Sequence, residues 1–357
     1  MKIELIGKPK TIMSNPDSRH GYFAWPTAKL LQDGKIAVGA SGFRLEHICP
    51  FGKSVISYSC DGGETYTYPA PVIDTPLDDR DAGICTFGEK GVILTTFNNS
   101  ADMQRQHNKD NAYVQSYIDT ITKEDEEKYL GSLFRISNDC GQTFGKLFHS
   151  PVTSPHGPVQ LRNGTVLWAG TRFDDIFAGI EVRCLDTESG ETELIGKITS
   201  SDKKVVLNEP HVVELPNGRL ICHIRGENSE LFNGGEEELF TVFQSVSDDG
   251  GKTWSEPEML LDETGGAPPH LIQLSTGIIL STYGRRKQPY GIMAMISFDG
   301  GESWKKDIRI YENTASDDIG YPSTVELFDG TLLTVFYATD SEDKPCNILQ
   351  QKWKIIL

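Results

Sequence analysis

The sequence predicts an all-β fold, a six-bladed β-propeller with four-stranded blades, and two interleaved repeats carry that prediction. The first repeat is Ser-x-Asp-x-Gly-x-Thr/Ser-aromatic. It occurs four times, at Ser59–Tyr66, Ser137–Phe144, Ser247–Trp254 and Ser297–Trp304, each after a short run of alternating apolar residues (VISYS, LFRIS, TVFQS, MAMIS). Asp and Ser side chains can bond turn backbone, glycine accepts a positive φ, and the aromatic can plug the base of the sheet, so each copy reads as a hairpin turn. The second repeat is a strand, an Asn-Gly-like turn and another strand, with six turn glycines at Gly34, Gly91, Gly164, Gly218, Gly277 and Gly330. Pairing each of these hairpins with a hairpin of the first kind yields one closed array over residues 1–357, not the two domains that chain length alone suggests.

Taken in order, blade one runs from WPTAKLLQDGKIAVGA at Trp25, and blade two from AGICTFGEKGVILTTF at Ala82. Blade three starts at PHGPVQLRNGTVLWAG (Pro155), and its second turn is degraded to Asp186-Thr-Glu-Ser-Gly190. Blades four and five start at EPHVVELPNGRLICHI (Glu209) and PPHLIQLSTGIILSTYG (Pro268). Blade six starts at YPSTVELFDGTLLTVFY (Tyr321), takes its third strand from NILQQKWKII, and needs MKIELIG from the other terminus to close the ring. Residues 101–131, between strands two and three of blade two, are polar and helix-prone. They form an insert expected over one mouth of the channel as a lid, or equally as a solvated surface excursion or a contact in a homo-oligomer.

Composition narrows the partners. A formal charge of -17 and a pI near 4.9 argue against nucleic acid and against anionic membrane. No apolar run has transmembrane length, and the N-terminus lacks a continuous apolar segment of the signal-peptide kind. The seven cysteines show no CxxC spacing and fit a reducing compartment, so a cytoplasmic protein without metal or other cofactor is expected.

Strand parity puts all four Ser-x-Asp-x-Gly turns on the face opposite the loops that join strands two to three and blade to blade. Chemistry is therefore expected where first strands start and second strands end. The starts carry Trp25, Ala82 (after Arg80 and Asp81), His156, Glu209, Pro268 (near His270) and Tyr321. The ends carry Arg44, Asn98, Arg172, Arg225, Arg285 and Tyr337, while the acidic loop 227–238 borders the mouth. Arg172, Arg225 and Arg285 read as an arc of arginines on blades three to five for a carboxylate ligand. Among the histidines, His156 is expected at the rim with acid/base potential, and His211 and His270 one step deeper.

The turn repeat resembles the Asp box of the sialidase (neuraminidase) superfamily, and the resemblance covers nearly the whole chain. Sialidases use a tyrosine nucleophile, a glutamate that takes its proton, an aspartate acid/base and three arginines on the substrate carboxylate. The resemblance implies that Tyr321 (GYPS) is the nucleophile, Glu209 (NEPH) its base and Arg225 one arginine. It departs from the pattern at Ala24, where the first arginine belongs, and at Gln288–Gly291, where the third does. No aspartate lies between Arg44 and Asp61. Glu46 and His47 are the nearest substitutes for the acid, with Asp81 a further candidate. Trp25, Arg44, Arg80, His211 and His270 complete the expected substrate contacts. Three functions follow: an exo-acting glycoside hydrolase removing a terminal acidic sugar, a uronate-directed oligosaccharide lyase using Tyr321 and a histidine, or a non-catalytic carbohydrate-binding propeller. The ligand expected in each is an acidic mono- or oligosaccharide.

Overall fold

The computed structural model describes residues 2–261, 265–266, 268–312, 314–341 and 344–356. Six antiparallel sheets follow one another in chain order. Blade one comprises Tyr22–Leu30, Ile36–Arg44, Lys53–Ser59 and Ala70–Ile73. Blade two is Ile84–Phe87, Gly91–Phe97, Ser132–Ser137 and Leu147–Ser150. In blade three the first strand is broken into Val152–Thr153 and Val159–Gln160, ahead of Val166–Arg172, Ile180–Leu185 and Thr192–Ile198. Blade four is Val205–Glu214, Leu220–Asn228, Phe240–Ser247 and Glu258–Met259, and blade five is His270–Gln273, Ile279–Arg285, Gly291–Ser297 and Lys305–Tyr311. Blade six joins both ends of the chain: Gly320–Glu326, Leu332–Ala338 and Asn347–Ile356 are completed by Lys2–Met13, which pairs with Asn347–Ile356. The ring is thus closed by the strand that the sequence placed there.

Apolar faces pack blade against blade. Phe23, Val38 and Val55 of blade one meet Val325, Val335 and Ile348 of blade six, and equivalent clusters join the other neighbours. The Asp boxes sit on the far face and do two jobs. In the third intact copy Asp249 accepts from Thr253 N (2.9 Å), Thr253 Oγ1 (2.6 Å) and Ser247 Oγ (2.9 Å), while Gly251 N donates to Ser247 Oγ (2.9 Å). The box aromatic then reaches the preceding blade: Trp304 Nε1 donates to Gln244 of blade four, and the Tyr66 hydroxyl to Gln350 of blade six. Asp249 is nevertheless solvent-exposed. Water can replace the lost bonds, so Asp249→Ala should give a small loss of melting temperature and unchanged turnover per folded molecule. Lost turnover at normal stability would contradict this remote placement.

The insert forms three short helices, α1 (Ala101–His107), α2 (Ala112–Ile118) and α3 (Lys123–Tyr129). They lean sideways on blade one. Phe51 stacks on Tyr113, Tyr117 donates to Pro76 O, and buried Gln104 donates to Asp78 Oδ2 at 2.8 Å. These contacts fasten the insert to blade one.

Candidate functional site

Four residues at the channel mouth adopt left-handed backbone: Trp25 (φ 54°), Asp81 (46°), Glu209 (48°) and Tyr321 (49°). For bulky L-residues this conformation costs about 1–3 kcal/mol each, and such strain concentrates at functional sites. Its cause is a β-bulge at the start of the first strand, visible as register shifts between Ala24 and Thr27, Asn208 and His211, and Gly320 and Ser323. In each of these three the residue after the strained one is proline (Pro26, Pro210, Pro322), which needs no ladder donor. The bulge turns the strained side chain out of the strand's alternation and toward the propeller axis. Blade two builds the same feature at Asp81 with Ala82 following.

Two of the four side chains meet. The Tyr321 hydroxyl donates to Glu209 Oε1 at 2.5 Å, and Arg225 Nη1 donates to Glu209 Oε2 at 2.8 Å. Arg225 Nη2 donates to Glu227 Oε1 at 2.5 Å, and Asn208 holds the other Glu227 oxygen at 2.6 Å. Burial, then the charges of Glu209 and Asp81, push the Tyr321 phenol well above its ordinary value. The phenol is therefore neutral at rest, and only a base in contact, Glu209, can take its proton as it reacts. Burial opposes the charge on Arg225, but Glu209 and Glu227 outweigh it and keep the guanidinium protonated.

Asp81 faces a cavity of about 370 Å³ that Glu209, Arg225, Glu227, Asn208 and Arg172 also line. Burial first, and the Glu209 charge second, raise the Asp81 carboxyl to about 7. A carboxylic acid still protonated near neutrality, beside a tyrosine–glutamate pair, has the properties of a general acid. The outer wall of the cavity is apolar: Phe97, Phe173, Ile176 and Phe232, with Phe177 packed edge-on against Phe232. Phe177 and Phe232 are exposed, so the wall offers aromatic faces to a ligand.

The remaining expected residues separate into near and remote. Trp25 is buried beneath the mouth, with the guanidinium carbons of Arg80 and Arg44 at 3.9 and 4.7 Å from its ring centroid. Arg44, fully buried, is bound to Asp78, Ser41 and the His47 carbonyl. Trp25 and Arg44 are thus corrected from ligand contacts to the floor beneath the site. Arg80 donates to His47 O at 2.7 Å and stands beside Asp78 at 3.4 Å. Glu46 is exposed, and only its carbonyl is engaged, by Arg44. His47 is half-buried, edge-on to Trp25, with Nδ1 2.9 Å from Asp318 and 3.0 Å from the Tyr22 hydroxyl.

Two expectations are overturned by position. His156 is not at the rim: it is fully buried, as are His211 and His270. A tight turn closed by Gly157 N donating to Ser154 O interrupts the first strand of blade three and draws His156 down to the level of the other two. The arginine arc also fails. Arg225 lies seven residues beyond Gly218, whereas Arg172 and Arg285 lie eight beyond Gly164 and Gly277, so the three do not share one position in the strand alternation, although Arg172 still reaches the lining of the Arg225 cavity. Arg172 pairs at the surface with Asp174 and Glu181. Blade five instead sends in Arg286, nine beyond its glycine. Its Nε donates to Ile319 O, its Nη2 to the Tyr337 hydroxyl (2.7 Å), and its guanidinium carbon lies 5.7 Å from the Tyr321 ring centroid. Arg286 stands just before the Gln288–Gly291 stretch where the resemblance placed an arginine.

Sequence reasoning thus missed Arg286, Asp78, Asp318 and the aromatic wall. Arg286 was findable from parity, since Arg225 and Arg286 share it. Asp78 and Asp318 lie in irregular segments where no period applies.

Comparison with known proteins agrees with the fold. No curated protein matches the chain. In fold it is similar to a Dyadobacter fermentans protein of unknown function (19% identity, 99% of each chain covered, TM-score 0.76). It is also similar to the NanB sialidase of Streptococcus pneumoniae (12% identity, 98% of this chain and 71% of that one, TM-score 0.69). An α-L-arabinanase of Penicillium chrysogenum matches as well (14% identity, 96% and 98% covered, TM-score 0.63). The family model described as "BNR repeat-like domain" matches residues 135–334, from the second Asp-box strand to the second strand of blade six. With that match over more than half its length, four Asp boxes and a closed ring of six blades, the chain belongs to the BNR repeat-like family and has the sialidase-like propeller fold.

Proposed function

We propose that the protein is an exo-acting glycoside hydrolase of the sialidase-like type that removes a terminal acidic sugar. The observation that carries this reading is the Tyr321 hydroxyl donating at 2.5 Å to Glu209, on strained backbone, beside a carboxyl raised to about 7. Tyr321 Oη attacks the anomeric carbon while its proton passes to Glu209, and Asp81 gives its proton to the departing glycosidic oxygen. Asp81, now ionised, takes a proton from the water that cleaves the tyrosyl–sugar bond, and Glu209 returns the first proton to Tyr321. A neutral nucleophile suits an anomeric carbon that bears or neighbours a carboxylate, because an anionic one would be repelled.

The sugar's carboxylate is assigned to Arg286. Among the described residues its hydrogen bonds go to a carbonyl and a hydroxyl and to no carboxylate, whereas Arg225 already serves Glu209 and Glu227. The aromatic wall at Phe173 and Phe232 is the surface for the apolar face of the leaving sugar.

A charge-assisted contact is worth about 1.5–3 kcal/mol. Arg286→Ala should therefore weaken binding of acidic monosaccharides (sialic, glucuronic and galacturonic acids as probes) by roughly 10–100-fold. It should not affect their carboxyl-reduced counterparts, and Arg285→Ala should change neither. Equal wild-type affinity for acidic and reduced probes, or an effect of Arg285 rather than Arg286, would remove the assignment. The uronate lyase is the second reading, and His47 sustains it: among the four candidate histidines it alone is solvent-facing, and Asp318 orients its ring.

A further inference from the structure

Below the mouth, three imidazoles close the propeller axis and none takes part in the chemistry above. The ring centroids of His156, His211 and His270 are 5.5, 4.9 and 4.4 Å apart, and each ring is at most 2% exposed. Each Nδ1 is tied to a different blade: His211 Nδ1 accepts from Leu271 N (2.9 Å), His270 Nδ1 from Thr324 N (3.3 Å), and His156 Nδ1 lies 3.0 Å from Thr27 Oγ1. All three Nε2 atoms are buried without a protein partner among the described residues.

The two backbone donors fix the tautomer. An imidazole that accepts at Nδ1 carries its proton on Nε2, so His211 and His270 each present an N–H. A buried N–H without an acceptor costs about 1–3 kcal/mol, which is reason to look for what it binds. A metal ion does not fit, because Nε2–H has no lone pair to give, and the described residues contain no metal-binding group of acidic, Cys and His side chains. The ligand must be an acceptor.

Charge selects among acceptors. The Lys29 side chain and His211 line the same cavity, about 400 Å³ in volume, which opens on the Asp-box face. Lys29 has no carboxylate partner among the described residues. Glu214, also in that lining, is engaged by Arg162 N. The imidazoles stay neutral, since burial holds all three below the ordinary histidine value, His156 at about 3. Burial pulls the Lys29 amine below its ordinary value, and no carboxylate among the described residues is hydrogen-bonded to it or to the two N–H donors, so an anion would satisfy all three.

We propose that the axial channel binds a small inorganic anion of the chloride type, held by Nε2–H of His211 and His270 and by the Lys29 ammonium. The anion enters from the Asp-box face, apart from the sugar site, and ties blade one to blades four and five across the axis. This does not depend on the hydrolase reading.

Crystals of the whole chain equilibrated in sodium bromide should show an anomalous bromide peak within hydrogen-bond distance of His211 and His270 Nε2. In solution the melting temperature should rise saturably with chloride at constant ionic strength. Lys29→Met should shift that midpoint by roughly tenfold or more, the loss of one charge-assisted contact, with turnover unchanged. Water without a bromide signal at that position, or the same chloride midpoint in Lys29→Met, would overturn the proposal. Should Lys29→Met fail to fold, the bromide signal in the unaltered protein still decides.

Discussion

Tyr321→Phe is expected to bind acidic sugar nearly as well as the unaltered protein and to turn it over slower by about three or more powers of ten. The change removes one oxygen and keeps a ring that is packed near Trp25 and Tyr337 (centroids 6.4 and 6.1 Å), so the pocket should hold its shape. The lost oxygen is the one that donates to Glu209. Glu209→Gln should cost turnover similarly, since an amide cannot take the phenol's proton, and it also leaves Arg225 with one fewer carboxylate. The double variant should be little worse than either single, because the two act as one unit. Full activity of Tyr321→Phe, measured as the initial rate of acidic-oligosaccharide cleavage, would eliminate both the hydrolase and the lyase mechanisms.

Asp81→Asn carries the second large effect, and pH separates it from simple damage. Burial and Glu209 hold the Asp81 carboxyl at about 7, against roughly 3.9 for an unperturbed aspartate. As the proton donor it is competent below about pH 7, so kcat/KM should fall tenfold per pH unit above that point. Asp79 is also raised to about 7, but its carboxylate is committed to Thr75 and it is fully buried, so the limb must be assigned with variants. Asp81→Asn should lose most turnover on unactivated sugars and far less on substrates with a good leaving group, which need no acid. Its effect on stability has the opposite sign. Between about pH 4 and about 7 the folded protein keeps a proton that the unfolded chain has released, so this group costs stability as pH rises through that window. At pH 8 the asparagine variant should therefore melt no lower than the parent. An unshifted alkaline limb in Asp81→Asn would remove Asp81 from the acid role.

The architecture was legible because glycine at a fixed offset has a mechanical meaning. Gly34, Gly164, Gly218, Gly277 and Gly330 all adopt positive φ at the same turn, and the Asp-box contacts follow from their spacing. The site was legible only as far as those offsets hold. In blade two the left-handed turn glycine is Gly88, while Gly91 begins the next strand, so alignment on Gly91 set that blade out by one residue. That slip put Ala82 where Asp81 stands. In blade five a single-residue difference decided between Arg285 and Arg286, because side chains alternate with period two along a strand. In blade three the break before Val159 hid the depth of His156. The hydrogen-bond network beneath Trp25 draws on Asp78 and on an insert residue, Gln104, far apart in sequence and related only by the fold.

The most direct test of the central claim is incubation with acidic oligosaccharides that carry a terminal uronic or sialic acid or an internal 4-linked uronate, following reducing-sugar release and ultraviolet absorbance together. The Tyr321–Glu209–Asp81 mechanism predicts release of the terminal acidic sugar with new reducing ends, no absorbance from a conjugated unsaturated product, and loss of release in Tyr321→Phe. Absorbance rising in step with cleavage would make the protein a lyase, and tight binding without either signal would make it a binding propeller. Either outcome would contradict the account.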